Sequence, residues 1–236
     1  MSAARIVSLV PSSTETLLAL GAEVIACTRF CEQPGIATVG GTKNPDIDAI
    51  VRLEPDLVVL DREENRIADH DALVGAGLAL FVSDVRSVDD ARHVVADLRE
   101  LLGMPTAPLP ELPLFEPAMR RTAFVPIWRR PWMSISEATY GGSLLGHLGI
   151  DLVTRGGAAY PTVELDDIAR PAPDLVLVPS EPYDFSAAHT DELRRAFPTS
   201  RVIDIDGQDL FWWGARTPAA IARLAAVVGG PRQPSG

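Results

Sequence analysis

Only two of the 236 residues are cysteine, Cys27 and Cys31, and that scarcity removes two architectures at once. Two thiols four positions apart supply neither a disulfide scaffold nor a zinc framework, so they read as ordinary half-buried cysteines. Histidine is equally sparse. His70, His93, His147 and His189 lie far apart, each in a polar or helical stretch, which suits surface or helix-packing roles. Direct binding of a free metal ion, which needs converging His and Asp, is not expected. No apolar run approaches the roughly 20 residues of a membrane-spanning helix. Basic residues are the minority, 21 Lys and Arg against 32 Asp and Glu, for a formal net charge of −11. So acidic a surface repels phosphate backbones and excludes nucleic acid as a partner. The start, Met1-Ser2-Ala3-Ala4-Arg5, runs straight into an apolar stretch without the regions of a signal peptide, so the sequence alone suggests a cytoplasmic location.

Catalytic signatures are missing as well. Where a Gly-rich phosphate loop would follow the first apolar run, the chain has Val10-Pro11-Ser12-Ser13-Thr14. No Gly-x-Ser-x-Gly nucleophile elbow occurs, and nothing combines nucleophile, base and orienter. The chain does not read as an enzyme, and no cofactor is implied.

What the chain does have is an ordinary globular balance, 47% hydrophobic and 22% charged, and an internal echo. Ile50, Pro55, Asp56 and Leu57 have counterparts 118 residues later in Ile168, Pro173, Asp174 and Leu175. Each Pro-Asp opens an apolar run, and each run ends in an acidic loop, Arg62-Glu63-Glu64-Asn65 and Ser180-Glu181-Pro182-Tyr183. Two copies are too few for a solenoid and suit two similar lobes. Short apolar runs at 5–10, 24–27, 57–60 and 79–82, then at 122–127, 175–178 and 202–205, read as buried parallel strands. Helical patterns alternate with them, which implies an α/β sheet in each lobe. Ser12 and Glu15 are spaced as a capping box heading a helix over 14–20. The lobes span 1–84 and 120–236. Between them, residues 85–119 hold a helix over 87–102, with Val88, Ala91, Val95, Leu98 and Leu102 on one face, and then a proline-rich extended connection. Residues 229–236 read as a frayed tail.

Ligands of α/β sheets gather at the C-terminal ends of strands, and the chain places distinctive side chains there. Ser12 and Ser13 follow the first run and offer hydroxyls and backbone N–H groups, as a plain helix cap would too. Phe30 follows the second. All four tryptophans sit in two loops of the second half: Trp128 and Trp132 with Arg129, and Trp212 and Trp213 with Arg216. Aromatic walls with arginines suit a broad, partly apolar ligand carrying carboxylate or phosphate groups.

The ordered series Arg5-Ile-Val-Ser-Leu-Val-Pro-Ser-Ser-Thr-Glu-Thr-Leu, Thr28-Arg-Phe-Cys, Val39-Gly-Gly-Thr-Lys-Asn-Pro-Asp and Pro55-Asp-Leu-Val resembles the cobalamin/iron-siderophore class of ABC-transporter substrate-binding proteins. Trp128-Arg-Arg-Pro-Trp-Met and Pro179-Ser-Glu-Pro-Tyr resemble its helical backbone metal receptor branch, and the likeness spans about residues 5–228. The resemblance implies two Rossmann-like α/β lobes joined by a single backbone helix, the class III periplasmic-binding-protein fold, with a metal chelate held between the lobes. Cobalamin-like molecules, haem and ferric siderophores are the implied ligands. Implied, too, are an extracytoplasmic location, an ABC permease as partner and a monomeric state. Ser12, Ser13, Phe30 and Asn44 would face Trp128, Arg129, Trp132, Trp212, Trp213 and Arg216 across the ligand, and Glu63, Glu64 and Glu181 would dock the permease. Two other readings stay open. One is a cytosolic binder or sensor on the same fold. The other is a chelatase-like enzyme, which needs a base at the ligand, whereas no histidine falls in the loops assigned to it.

Overall fold

Continuous apolar runs become strands buried on both faces, and the alternating helices cover them. The computed structural model describes residues 4–105, 111–113, 119–154 and 157–229. They form two compact units, each with its own sheet and core.

The first unit comprises Met1–Val85, Asp89–Pro110 and Trp213–Arg216. In chain order its elements are β1 (Arg5–Ser8), α1 (Pro11–Ala19), β2 (Glu23–Cys27), β3 (Ala37–Thr38), β4 (Gly40–Gly41), β5 (Asn44–Pro45), α2 (Ile47–Arg52), β6 (Leu57–Asp61), α3 (Ile67–Gly75), β7 (Leu80–Ser83) and α4 (Val88–Leu101). The main sheet runs β3-β2-β1-β6-β7, all parallel, and β4 pairs with β5 as a small hairpin. Val7, Leu9, Ala26, Val58 and Leu60 form the core with Ile50 of α2 and Leu73 of α3. On α4, Val88, Ala91, Val95 and Leu98 of the predicted stripe are buried and Val94 joins them, whereas Leu102 lies past the helix end and is half-buried.

The second unit comprises Arg86–Val88, Glu111–Trp212 and Thr217–Gly236. It contains β8 (Arg121–Phe124), β9 (Pro126–Trp128), β10 (Trp132–Ser134), α5 (Tyr140–His147), β11 (Ile150–Leu152), β12 (Thr162–Val163), α6 (Leu165–Ile168), β13 (Leu175–Pro179), α7 (Ala187–Ala196), β14 (Arg201–Ile205), α8 (Gly207–Phe211) and α9 (Thr217–Val228). Its main sheet runs β11-β8-β13-β14, also parallel, around a core of Phe124, Val176, Val178, Leu193 and Phe197. A second sheet, β12-β10-β9, is antiparallel.

The echo in sequence is an echo in topology. Apart from the two-residue edge strand β3, the two sheets share one order: β1 lies between β2 and β6 with β7 outermost, as β8 lies between β11 and β13 with β14 outermost. Its Pro-Asp carboxylates do the same work twice. Asp56 Oδ2 accepts from the Arg5 backbone N–H at 2.7 Å, and Asp174 Oδ2 accepts from the Thr122 N–H at 2.9 Å. Each therefore fastens the start of its unit's first strand, β1 or β8, to the start of the neighbouring strand, β6 or β13, satisfying a donor at the sheet's end.

Four expectations need correction. First, α1 begins at Pro11, not at 14, because proline suits the first helical position; Ser12 thus lies inside the first turn, and no Ser12–Glu15 capping box forms. Second, the run expected at 122–127 is two strands, β8 and β9, with Val125 between them. Third, the connector does not stand apart, since α4 from Asp89 onward belongs to the first unit. Fourth, Trp213–Arg216 belongs to the first unit although the sequence places it in the second lobe. The greater part of the expected proline-rich connection (106–110, 114–118) and of the expected tail (230–236) lies outside the described residues.

Candidate functional site

At the C-terminal edge of the first sheet, three loops are laced together by Asn65. Its side-chain oxygen accepts from the Asp61 N–H at 2.8 Å, and its amide donates to Leu9 O and Thr42 O at 3.3 and 2.9 Å. The ends of β1 and β6 and the β4–β5 hairpin are thereby held in one place. Lys43 Nζ adds a bond to Glu63 O at 2.6 Å. Buried Asp61 accepts from the Ser83 hydroxyl and the Glu63 N–H; burial pushes its carboxyl above the ordinary range, and those two donors oppose the shift. Neither Asn65 nor Asp61 was singled out in the sequence, where an acidic loop gives no hint of such lacing.

Phe30 and Asn44 reach the same edge and are exposed. The Arg29 N–H donates to Gly40 O at 2.9 Å, joining the end of β2 to the hairpin. The Arg29 guanidinium lies over the Phe30 ring, 4.7 Å from its centroid. Gly41 permits this crowding: a Cβ there would stand 2.7 Å from Asn44 Oδ1 and 3.1 Å from both Arg29 Nη2 and Phe30 Cε2.

Ser12 and Ser13 behave otherwise than expected. Both are buried, and the Ser13 hydroxyl has no hydrogen-bond partner among the described residues. In the first turn of a helix packed on the sheet, these side chains face the interior, so their hydroxyls do not stand open at the edge.

The cysteines also differ from the reading as half-buried bystanders, because both are fully buried. Thr14 and Thr28 hydroxyls each lie 3.2 Å from Cys31 Sγ. Those hydroxyls, and above all the Cys27 thiol hydrogen-bonded to it, lower Cys31 to about 6, while Cys27 is pushed up by the same pairing and by burial.

In the second unit the β9–β10 hairpin is inserted directly after β8, at the C-terminal edge of that sheet. It carries Trp128 and Trp132 against the segment that follows β13. Trp128 packs edge-on against Tyr183 at 5.1 Å, Trp132 stacks on Phe185 at 6.0 Å, and Tyr183 meets Phe185 at 4.7 Å. Trp132 and Phe185 also cover the core of the unit, whereas Trp128 stays 45% exposed. His189, on the first turn of α7, completes the cluster beside Tyr183 and Phe185 at 5.7 and 6.2 Å. Its Nδ1 accepts from the Ser186 N–H. A histidine thus stands beside the aromatic cluster, brought there by α7 from outside the loops that the sequence assigned to the ligand.

The remaining residues are committed within their own units. Arg129 forks onto Glu192, with both guanidinium bonds at or under 3.0 Å, and its guanidinium lies 5.6 Å from the Trp132 ring centroid. Arg216 forks onto Glu15 at 2.7 and 3.1 Å. Trp213 is only 5% exposed, so it fills space instead of presenting a wall. Trp212 donates its indole N–H to Glu181 Oε1 at 2.8 Å. The structure therefore gathers Trp128, Arg129 and Trp132 on one edge and Phe30 and Asn44 on another, buries Trp213 and pairs Arg216 with Glu15 of α1. Among the described residues, no group of three or more His, Cys, Asp or Glu side chains is placed to hold a metal ion. No described helix is long and apolar enough to cross a membrane.

This fold is that of the class III substrate-binding proteins of ABC transporters, in agreement with the resemblance read in the sequence. The periplasmic heme-binding protein RhuT from Roseiflexus sp. RS-1 matches with a TM-score of 0.79 at 18% identity, over 96% of this chain and 98% of its own. An ABC transporter substrate-binding protein from Listeria monocytogenes gives 0.77 at 15%, over 96% and 98%. The periplasmic vitamin B12 binding protein BtuF of Vibrio cholerae gives 0.73 at 16%, over 96% and 97%. In sequence, a vitamin B12-binding protein of Yersinia pestis is 30% identical over 106 residues, which covers 42% of this chain and 37% of the relative's length. No family model matches the chain.

Proposed function

We propose that this protein is a non-catalytic substrate-binding protein for a metal chelate, of the cobalamin, haem or ferric-siderophore kind, and that it hands its ligand to an ABC permease. The observation that carries the reading is the aromatic cluster of Trp128, Trp132, Tyr183 and Phe185 at the C-terminal edge of the second sheet. Such edges are where α/β sheets hold ligands, and rigid rings give broad contact to a flat ligand at small entropic cost. The fold and the names of the proteins similar to it support the same class of ligand. The function places the protein outside the cytoplasm as a monomer. Glu63, Glu64 and Glu181 follow topologically equivalent strands, β6 and β13, and are assigned to permease docking.

A thermal-shift screen against cobalamin, cobinamide, haem and several ferric siderophores tests the ligand class. A ligand at a hundred times its Kd adds about 2.7 kcal/mol to stability, which raises the midpoint by several degrees in a protein of this size. No shift with any of these chelates at saturating concentration overturns the reading.

A further inference from the structure

We infer that His189 is a positioning residue of the aromatic site: its Nδ1 holds the Ser186 backbone, and through it Tyr183 and Phe185, against the β9–β10 hairpin. The inference rests on the function proposed above and names what fixes its binding surface.

The stretch that carries two of the four rings has little else to hold it. Its near end is fastened, since the Ser180 N–H donates to Ile205 O at 3.0 Å and Glu181 accepts from the Trp212 indole N–H. From Pro182 to Phe185 no backbone or side-chain group makes a hydrogen bond with any described residue. The far end is fastened at Ser186. Its carbonyl accepts from the N–H groups of His189 and Thr190 at 2.9 and 3.1 Å, and its own N–H donates to His189 Nδ1 at 3.1 Å. The carbonyl bonds belong to any helix start, but the N–H bond depends on the side chain at one position. His189 is the third residue of α7, the place from which a capping box reaches back to the residue before the helix. The same ring lies against the two side chains it would steady, with centroids 5.7 Å from Tyr183 and 6.2 Å from Phe185. Those rings in turn meet Trp128 and Trp132 of the hairpin.

Four residues without hydrogen bonds, released at one end, sample many conformations, and ordering them when a ligand arrives lowers its affinity. Fixing both ends in advance removes that cost and leaves the rings ready for a flat partner. The residue type has a second consequence. Nδ1 accepts from a backbone N–H only through its lone pair, so the proton of the neutral imidazole sits on Nε2. Neither nitrogen then offers a lone pair to a metal. The histidine beside the rings orients them and is not a ligand to the metal of a bound chelate.

The test compares the full chain with His189→Leu, which keeps bulk but has no acceptor, and with His189→Gln, whose side-chain oxygen can make the bond from the same position. Near-UV circular dichroism reads the packing of the rings without any ligand. Tryptophan quenching by haemin and by cobinamide reads binding, with melting temperatures alongside to verify folding. In His189→Leu the aromatic dichroism should weaken, and affinity for whichever probe binds should fall about fivefold, the worth of one capping bond. In His189→Gln the dichroism should recover and the affinity return to within about twofold of the wild type, as the restored cap requires. Wild-type dichroism and affinity in His189→Leu overturn the inference, and so does a loss in His189→Gln as large as in His189→Leu. A changed absorption spectrum of bound haemin in His189→Gln, the mark of a lost metal ligand, overturns it too. If neither probe binds, the dichroism alone decides the inference, whereas the reading as a chelate receptor falls only if the other chelates of the screen fail as well.

Discussion

Gly214 allows a loop distant in sequence to dock on α1, and replacing it with alanine should cost the first unit much of its stability. Its φ is +106°, a conformation that side chains avoid, and a Cβ there would overlap the Thr16 hydroxyl outright. The neighbouring bonds depend on the same approach: the Ala215 N–H donates to Thr16 Oγ1 at 3.1 Å, and Arg216 forks onto Glu15. Backbone strain of this kind costs about 1–3 kcal/mol, overpacking about 1–3 kcal/mol, and the weakened hydrogen bond about 1 kcal/mol. Together they predict a loss of about 3–7 kcal/mol for Gly214→Ala, or a fall in midpoint on the order of 10 °C. Calorimetry of the wild type, Gly214→Ala, Thr16→Ala and the double variant separates the contributions. Thr16→Ala removes the overlap but not the strain, so introducing Gly214→Ala into that background should cost about 2 kcal/mol less. A midpoint unchanged to within a degree, or equal costs in both backgrounds, would refute the argument.

Three further outcomes can be checked. Asp174→Ala should lower the urea midpoint more than Asp56→Ala, because Asp174 Oδ2 accepts from both the Thr122 N–H and the Thr122 hydroxyl whereas Asp56 has one such bond, to the Arg5 N–H; each bond is worth about 1 kcal/mol. Trp128→Ala should weaken binding of the best chelate about thirtyfold with little change in melting, while Trp132→Ala, which strips cover from the core, should lower the melting temperature as well; undiminished affinity in both would move the site elsewhere. Cys31 is lowered to about 6 from an ordinary 9.0, so between those values the folded chain has released a proton that the unfolded chain keeps. Stability should therefore rise with pH from 6 to 9 and fall above 9, where the raised Cys27 thiol keeps a proton that the unfolded chain loses; chemical denaturation across pH should show the rise disappear in Cys31→Ser.

Much of the fold was legible because its signals are local or repeated. An apolar run bounded by turn residues buries itself on both faces wherever it lies, and so the runs at 57–60 and 175–178 read as strands from composition alone. The Pro-Asp echo carried the pairing of topologies, since the same carboxylate fastens the same strand start in each unit. Short elements were not legible. β3, β4 and β5 have two residues each, too few for a period, and exist only because neighbours supply their hydrogen-bond partners.

The candidate site divides along the same line. The sequence by itself determined which chemical groups are available: four tryptophans in two short stretches, a surplus of acid, and no catalytic motif. Tertiary structure decided which of those groups remain open, because that depends on partners the chain order does not reveal. Glu15 takes Arg216 from 201 residues away, and Glu192 takes Arg129 from 63. Trp213 and Trp212 are adjacent in sequence, yet one is buried in the first unit and the other bonds Glu181 in the second. His189 and Phe185, four positions apart, come to one aromatic cluster with Trp128 and Trp132, whose stretch the sequence read as a loop and the structure folds into the β9–β10 hairpin. A residue type states what a side chain can do, and only its neighbours in space leave it free to act or tie it into the fold.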